Sequence, residues 1–172
     1  MIMSIVLIVA VPVSVFAADG IWVGPTALYN SNMTLGEMDF EDFDFEIENF
    51  SYGAEARFDI SIFQVGINTI YYGDFDFLGK VVETNLNAGL YADFGIVGVG
   101  LTAGPKYLVF LDYDVDPMDW GYNIKVETDL ILGSTILSVY FIGDVYDLDE
   151  WSEDPDFETL TGRVGASVLF QL

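Results

Sequence analysis

The chain has no cysteine and no histidine among its 172 residues, and only five lysines and arginines. Without cysteine no disulfide framework can form, and cysteine usage says nothing about compartment. Without either residue, Cys/His zinc sites and every histidine-based acid–base or nucleophilic arrangement are excluded. Five bases against 28 acids leave a net charge of −23 and no basic surface for nucleic acid. Long apolar runs are missing too. The one run present, MIMSIVLIVAVPVSVFA over residues 1–17, is short of the ~20 residues of a helical span. It reads as a secretory signal peptide cleaved after Ala17, with Val15 and Ala17 at the −3 and −1 positions. No Lys or Arg precedes it, so an uncleaved anchor is the other reading.

What is present is apolar for so acidic a chain: 52% hydrophobic residues, 16% aromatics and 17 glycines. The length suits one domain with a full core. Many aromatics, many glycines and no long apolar run fit a membrane β-barrel, whose signal per strand is weak.

Period-two alternation of apolar with small or polar residues marks strands. The closing stretch, Phe157 to Leu172, is the clearest. Leu160, Gly162, Val164, Ala166, Val168, Phe170 and Leu172 share one face, and Thr161, Arg163, Gly165, Ser167, Leu169 and Gln171 the other. The same pattern predicts strands over Asp19–Asn30, Glu46–Asp59, Ile62–Tyr72, Val81–Phe94, Val97–Leu111, Trp120–Leu132 and Thr135–Tyr146. Asp19–Asn30 alternates worst, because Trp22 and Leu28 oppose Ile21, Val23 and Ala27. Pro25 cannot donate to a ladder and needs a bulge or an unpaired position. Long acidic connections (31–45, 73–80, 112–119, 147–156) alternate with tight turns near Ile60–Ser61, Gly95–Ile96 and Gly133–Ser134. The expectation is an all-β, eight-stranded, antiparallel up-and-down transmembrane β-barrel over residues 18–172.

Alternation alone leaves open which face is inside, since a soluble ligand-binding barrel also alternates, with its apolar face inward. Volume argues for the polar face. It carries glycines 53, 66, 89, 98, 100, 104 and 165, small enough for a narrow lumen and unsuited to a water-facing strand. The other face carries Leu, Val, Phe and Tyr, with Tyr29, Phe58, Tyr71, Phe94, Tyr107 and Tyr122 near strand ends, as an interfacial girdle would have.

Twenty-one of the 28 acids lie in the segments 37–48, 74–76, 112–119 and 144–158, and Asp19, Asp59 and Asp93 lie at the opposite end. Glu55, Glu83, Glu127 and Asp129 remain on the polar face, beside Arg57, Lys106, Lys125 and Arg163. Four acids and four bases in a narrow lumen should pair and plug it, with Lys106 beside both Glu83 and Glu127. Asp112, Asp114 and Asp116 are spaced like the start of an EF-hand, but Pro117 stands where Gly is required and Asn123 where Glu is. They are a weak candidate for a divalent cation, and a solvated acidic loop is the plainer reading. The repeats Asp42-Phe-Asp44-Phe and Asp74-Phe-Asp76-Phe read as strand extensions or an adhesion patch. The glycines alternate along strands and open no helix, so no phosphate-binding loop is present.

Arg163-x-Gly165-x-x-Val168-x-Phe170 resembles the C-terminal strand signal of bacterial outer-membrane β-barrels, except that Gln171 and Leu172 follow the aromatic residue. With the meander, it makes the mature chain similar to the small eight-stranded barrels, the group of the OmpA transmembrane domain, OmpX and OmpW. The resemblance implies a cell outer-membrane location, a lipid bilayer as solvent and a monomer. It also implies recognition by the barrel-assembly machinery through Gly165, Val168 and Phe170. It further implies a structural or surface-interaction role through the acidic loops. A narrow porin-like pore or hydrophobic-molecule conduit is the alternative, and a secreted soluble ligand-binding barrel the third reading. Lipid-modifying barrels of this size use histidine, so no enzymatic activity and no cofactor are expected. The predicted loops hold Lys80 as their one base. Phosphate-rich lipopolysaccharide would then be met through bridging divalent cations, or the host membrane is poor in it.

Overall fold

The computed structural model describes residues 19–30, 33–34, 47–73, 79–112, 118–145 and 160–172. The leader reading and the two Asp-Phe repeats lie outside these residues. The described strands are β1 (Gly20–Tyr29), β2 (Met33–Thr34), β3 (Phe50–Ile60), β4 (Phe63–Tyr72) and β5 (Val81–Asp93). They continue with β6 (Val97–Phe110), β7 (Met118–Leu132), β8 (Thr135–Val145) and β9 (Thr161–Gln171). Each long strand pairs antiparallel with the next, and β1 closes on β9. The result is a closed, eight-stranded, up-and-down barrel. The two-residue β2 extends the β1 side of that closure, pairing Met33 with Gly162 and Thr34 with Thr161.

Differences from the sequence reading are local. Ile47–Asn49, assigned to the second strand, form a single 3-10 turn instead. The first hairpin turns at Ser61–Ile62, because Ile60 already pairs with Phe63. Ser61 takes the left-handed conformation, with φ 55°. β7 starts two residues before Trp120 and carries a bulge opposite Lys106 and Tyr107. There Gly121 has φ 110°, a conformation that only glycine adopts without strain.

Two prolines interrupt the ladders. Between β1 and β9 the pairing runs Trp22–Gln171 and Val23–Phe170, then resumes at Thr26–Ser167, skipping Gly24 and Pro25. Between β5 and β6 it stops at Asn85–Lys106 and resumes at Ala88–Ala103, skipping Gly104 and Pro105. Each proline keeps its other edge fully paired, to Ala54 and to Tyr122. Lacking an N–H, proline fits only where the ladder can go without that bond. The two gaps lie four strands apart, on opposite sides of the barrel.

The polar face points inward. Glu55, Arg57, Asn68, Asn85, Lys125, Glu127 and Asp129 are all buried, whereas Phe63, Val65, Leu90, Leu101 and Val139 are exposed on the outside. This is the reverse of the arrangement a soluble barrel with an apolar pocket requires. The inward glycines have a packing reason. A Cβ at Gly98 would collide with the Tyr91 ring, one at Gly165 with the Tyr140 ring, and one at Gly100 would lie 2.7 Å from Glu127 Cγ.

Candidate functional site

The site is the lumen, and it is stacked in layers along the barrel axis. At the turn end Trp22, Ile131, Ile136 and Leu169 form a fully inward apolar cluster. Toward the loop end Leu28, Ile70, Tyr72, Val81, Leu108, Phe110, Tyr140 and Ile142 form another. These side chains sit on the face that is otherwise polar. They explain the poor alternation of β1, where Trp22 and Leu28 each enter one cluster.

Charged groups share the lumen with them. Arg57 spends each of its nitrogens on a different carboxylate: Nε on Asp59 at 3.1 Å, Nη1 on Glu127 at 3.0 Å and Nη2 on Asp129 at 2.7 Å. Its guanidinium also lies 4.8 Å from the Tyr91 ring centre, and the Tyr91 hydroxyl donates to Asp129 at 2.8 Å. Lys125 Nζ bridges Glu127 at 2.6 Å and Glu55 at 2.5 Å. Glu55 additionally accepts from Ser167 Oγ at 2.6 Å and Asn68 Nδ2 at 3.3 Å. Glu127 thereby joins Arg57 and Lys125 into one cluster of four carboxylates and two bases.

The second cluster lies nearer the loops. Arg163 holds both oxygens of Glu83, at 2.9 and 2.8 Å, and hydrogen-bonds the Tyr72 hydroxyl. Lys106 Nζ is 2.8 Å from Asp144 and 3.6 Å from Glu83. Asp144 also faces Arg163, at 3.6 Å. Asn85 donates to Glu83 at 2.9 Å. Here two carboxylates meet two bases.

The structure therefore brings Glu55, Arg57, Lys125, Glu127 and Asp129 together, and Glu83, Lys106 and Arg163 together, in two separate groups. The expected contact of Lys106 with Glu127 is corrected. In the ladder Lys106 is level with Gly121 and Glu127 with Gly100, six residues nearer the turn end. At ~3.3 Å per residue that is about 20 Å along the strand, beyond reach. Two participants were assigned to strand ends by the sequence reading, Asp59 and Asp144. Their parity was the available signal: Asp59 continues Glu55 and Arg57, and Asp144 continues Ser138, Tyr140 and Ile142.

Of the assembly-signal residues, Gly165 faces the Tyr140 ring, while Val168 and Phe170 are on the outer face. Asp112 accepts a hydrogen bond from the Lys80 amide at 2.9 Å, and its carboxylate is 3.9 Å from Lys80 Nζ. Asp114 and Asp116 lie outside the described residues, and among the described residues no group of three carboxylates is placed to hold a metal ion.

The outer face is the converse of the lumen. Every charged strand residue whose side chain is described points inward. Toward the loops the outer face carries Tyr52, Tyr71 and Tyr122, and toward the turns Phe58, Phe63, Phe94 and Phe170. Neither a scan against protein-family profiles nor a search of curated proteins found a match to this chain.

Proposed function

We infer that this chain is an integral membrane barrel of the outer-membrane type, with a plugged lumen and a structural or surface-interaction role. The observation that carries the reading is the outer face: exposed Val, Leu, Ile and aromatic side chains with no described charge among them. In water such a surface would drive association. In lipid it is the required solvent face, where an Arg or Lys at mid-bilayer costs ~2–4 kcal/mol. A closed barrel also leaves no strand edge unpaired, the condition for any sheet in a bilayer.

Two apolar clusters and ten ion-paired side chains leave little room for solute, which favours a scaffold over a conduit. The barrel folds as a monomer through the assembly machinery, which reads the closing strand, and presents its acidic loops outward, where divalent cations bridge them to anionic surfaces. Membranes washed in alkaline carbonate should retain the protein, and the unboiled and boiled forms should differ in gel mobility. Release into the wash with no mobility shift would overturn the reading. Flux of small solutes through liposomes holding the protein would instead favour the narrow-pore alternative.

A further inference from the structure

The turn end of the barrel is made of unusual material. Hairpin turns normally expose Gly, Asn, Asp and Ser. Here two of the three turns place isoleucine at their second position. Ile62 is 45% exposed and Ile96 is 69% exposed. Around them Ile60, Phe94 and Leu132 are exposed as well. Asp59 and Asp93 are buried. Among the described side chains at this end, Asp19 holds the one exposed charge, and its carboxylate accepts the Ser61 amide at 2.6 Å.

Part of the backbone at this end is bonded within the protein. The Ile62 carbonyl accepts from Tyr91 N at 2.9 Å, the Ile96 carbonyl from Ile131 N at 2.9 Å, and the Ser134 carbonyl from Gln171 N at 3.0 Å. Each turn is thus tied to the strand that follows its hairpin. Gly95 N donates to the buried Asp93 carboxylate at 2.6 Å. Directly beneath lies the apolar cluster of Trp22, Ile131, Ile136 and Leu169. Polar backbone that is internally bonded, under apolar side chains, is what a medium without water requires.

Length points the same way. Tyr71 to Ile62 is nine residues and Tyr122 to Leu132 is ten. At ~3.3 Å per residue and a ~40° tilt these cover about 23–25 Å of height, close to the ~25 Å apolar band of such barrels. With the tyrosines at one interface, the band runs out only at the turns. In neither of these two strands are described residues left over to stand in water on that side.

We propose that the turn end is a lipid-contacting surface, with Ile62, Ile96 and Leu132 seated at the headgroup–acyl boundary of the leaflet on that side. This rests on the membrane reading above and adds a depth to it. A cysteine-free chain makes the test direct, because each introduced thiol is unique. Full-length Ile62→Cys, Ile96→Cys, Leu132→Cys, Val126→Cys and Leu111→Cys would each carry an environment-sensitive fluorophore. They would be refolded into phosphatidylcholine vesicles containing a lipid with a nitroxide on its acyl chain, with the heat-dependent gel shift confirming folding. Val126 reports mid-band and Leu111 the loop side. Quenching at 62, 96 and 132 well above that at 111 and below that at 126, with reaction toward an impermeant maleimide present on both sides of the bilayer about tenfold slower than at 111, is the expected result. Positions 62, 96 and 132 unquenched and as reactive as 111, with 126 quenched, would overturn this proposal alone and leave the span intact. Protection from the maleimide without quenching would overturn it in favour of a second copy of the chain covering the turns. Loss of quenching at 126 itself would remove the membrane reading and this proposal together.

Discussion

The two lumenal arginines are held by different designs. Arg57 is a hub: three carboxylates converge on it, and its side chain and theirs are at most 1% exposed. Arg163 is one half of a balanced square with Lys106, both reaching Glu83 and Asp144. Remove Arg57, and Asp59 and Asp129 lose their cation, because Lys125 reaches only Glu55 and Glu127. Remove Arg163, and Lys106 still touches both carboxylates. Redundancy, more than the number of bonds, should set what each arginine is worth, since the large cost is that of a buried charge left alone.

The sharpest way to break this contrast is Arg57→Met. It should cost about 3–5 kcal/mol or prevent folding, read from urea unfolding in lipid vesicles. Arg163→Met should cost less, about 2–3 kcal/mol, because Lys106 takes over part of the pairing. Equal losses, or the reverse order, would refute the hub. Lys106→Met leaves Arg163 on Glu83 and should cost about 1–2 kcal/mol. Combined with Arg57→Met it should be additive within ~0.5 kcal/mol, since the clusters share no partner. A larger coupling would mean that the lumen is one network after all. The smallest contrast uses glycines. Gly100→Ala presses on Glu127 Cγ and should cost about 1 kcal/mol, whereas Gly66→Ala, whose Cβ would meet Arg57 Cβ at an ordinary 3.5 Å, should cost about 0.5 kcal/mol or less. The same melts resolve both.

Much of this was legible in the chain because a barrel turns one-dimensional alternation into inside and outside. Six of the eight long strands start within two residues of the pattern's boundaries, and the one that begins after the 3-10 turn and the one that ends the chain start four residues later than the pattern. Pro25 was legible as a ladder gap from its missing N–H. What was not legible is who meets whom across the lumen. Neighbouring strands fix their own register, but Arg57 on β3 and Glu127 on β7 meet across the lumen through the accumulated stagger of the closed sheet, which no single strand encodes. Asp59 and Asp144 were misjudged for another reason. A strand end fixes their height and not their direction, and parity still aims them inward. The turn end was legible as composition, in Ile62 and Ile96, but not as a surface where one carbonyl of each turn is already bonded to the next strand.

The fit of Tyr91 against Gly98 and of Tyr140 against Gly165 has a consequence for how such a sequence can drift. Each tyrosine occupies volume that its neighbour has given up, so neither position is free to change first. A larger residue at Gly98 meets a ring. A smaller one at Tyr91 opens a void and releases the hydroxyl bonded to Asp129. Viable paths between two lumens of this kind therefore run through double replacements, or through a weakened intermediate. The inner wall should change in coupled pairs, while the apolar outer wall exchanges Val, Leu and Ile one at a time.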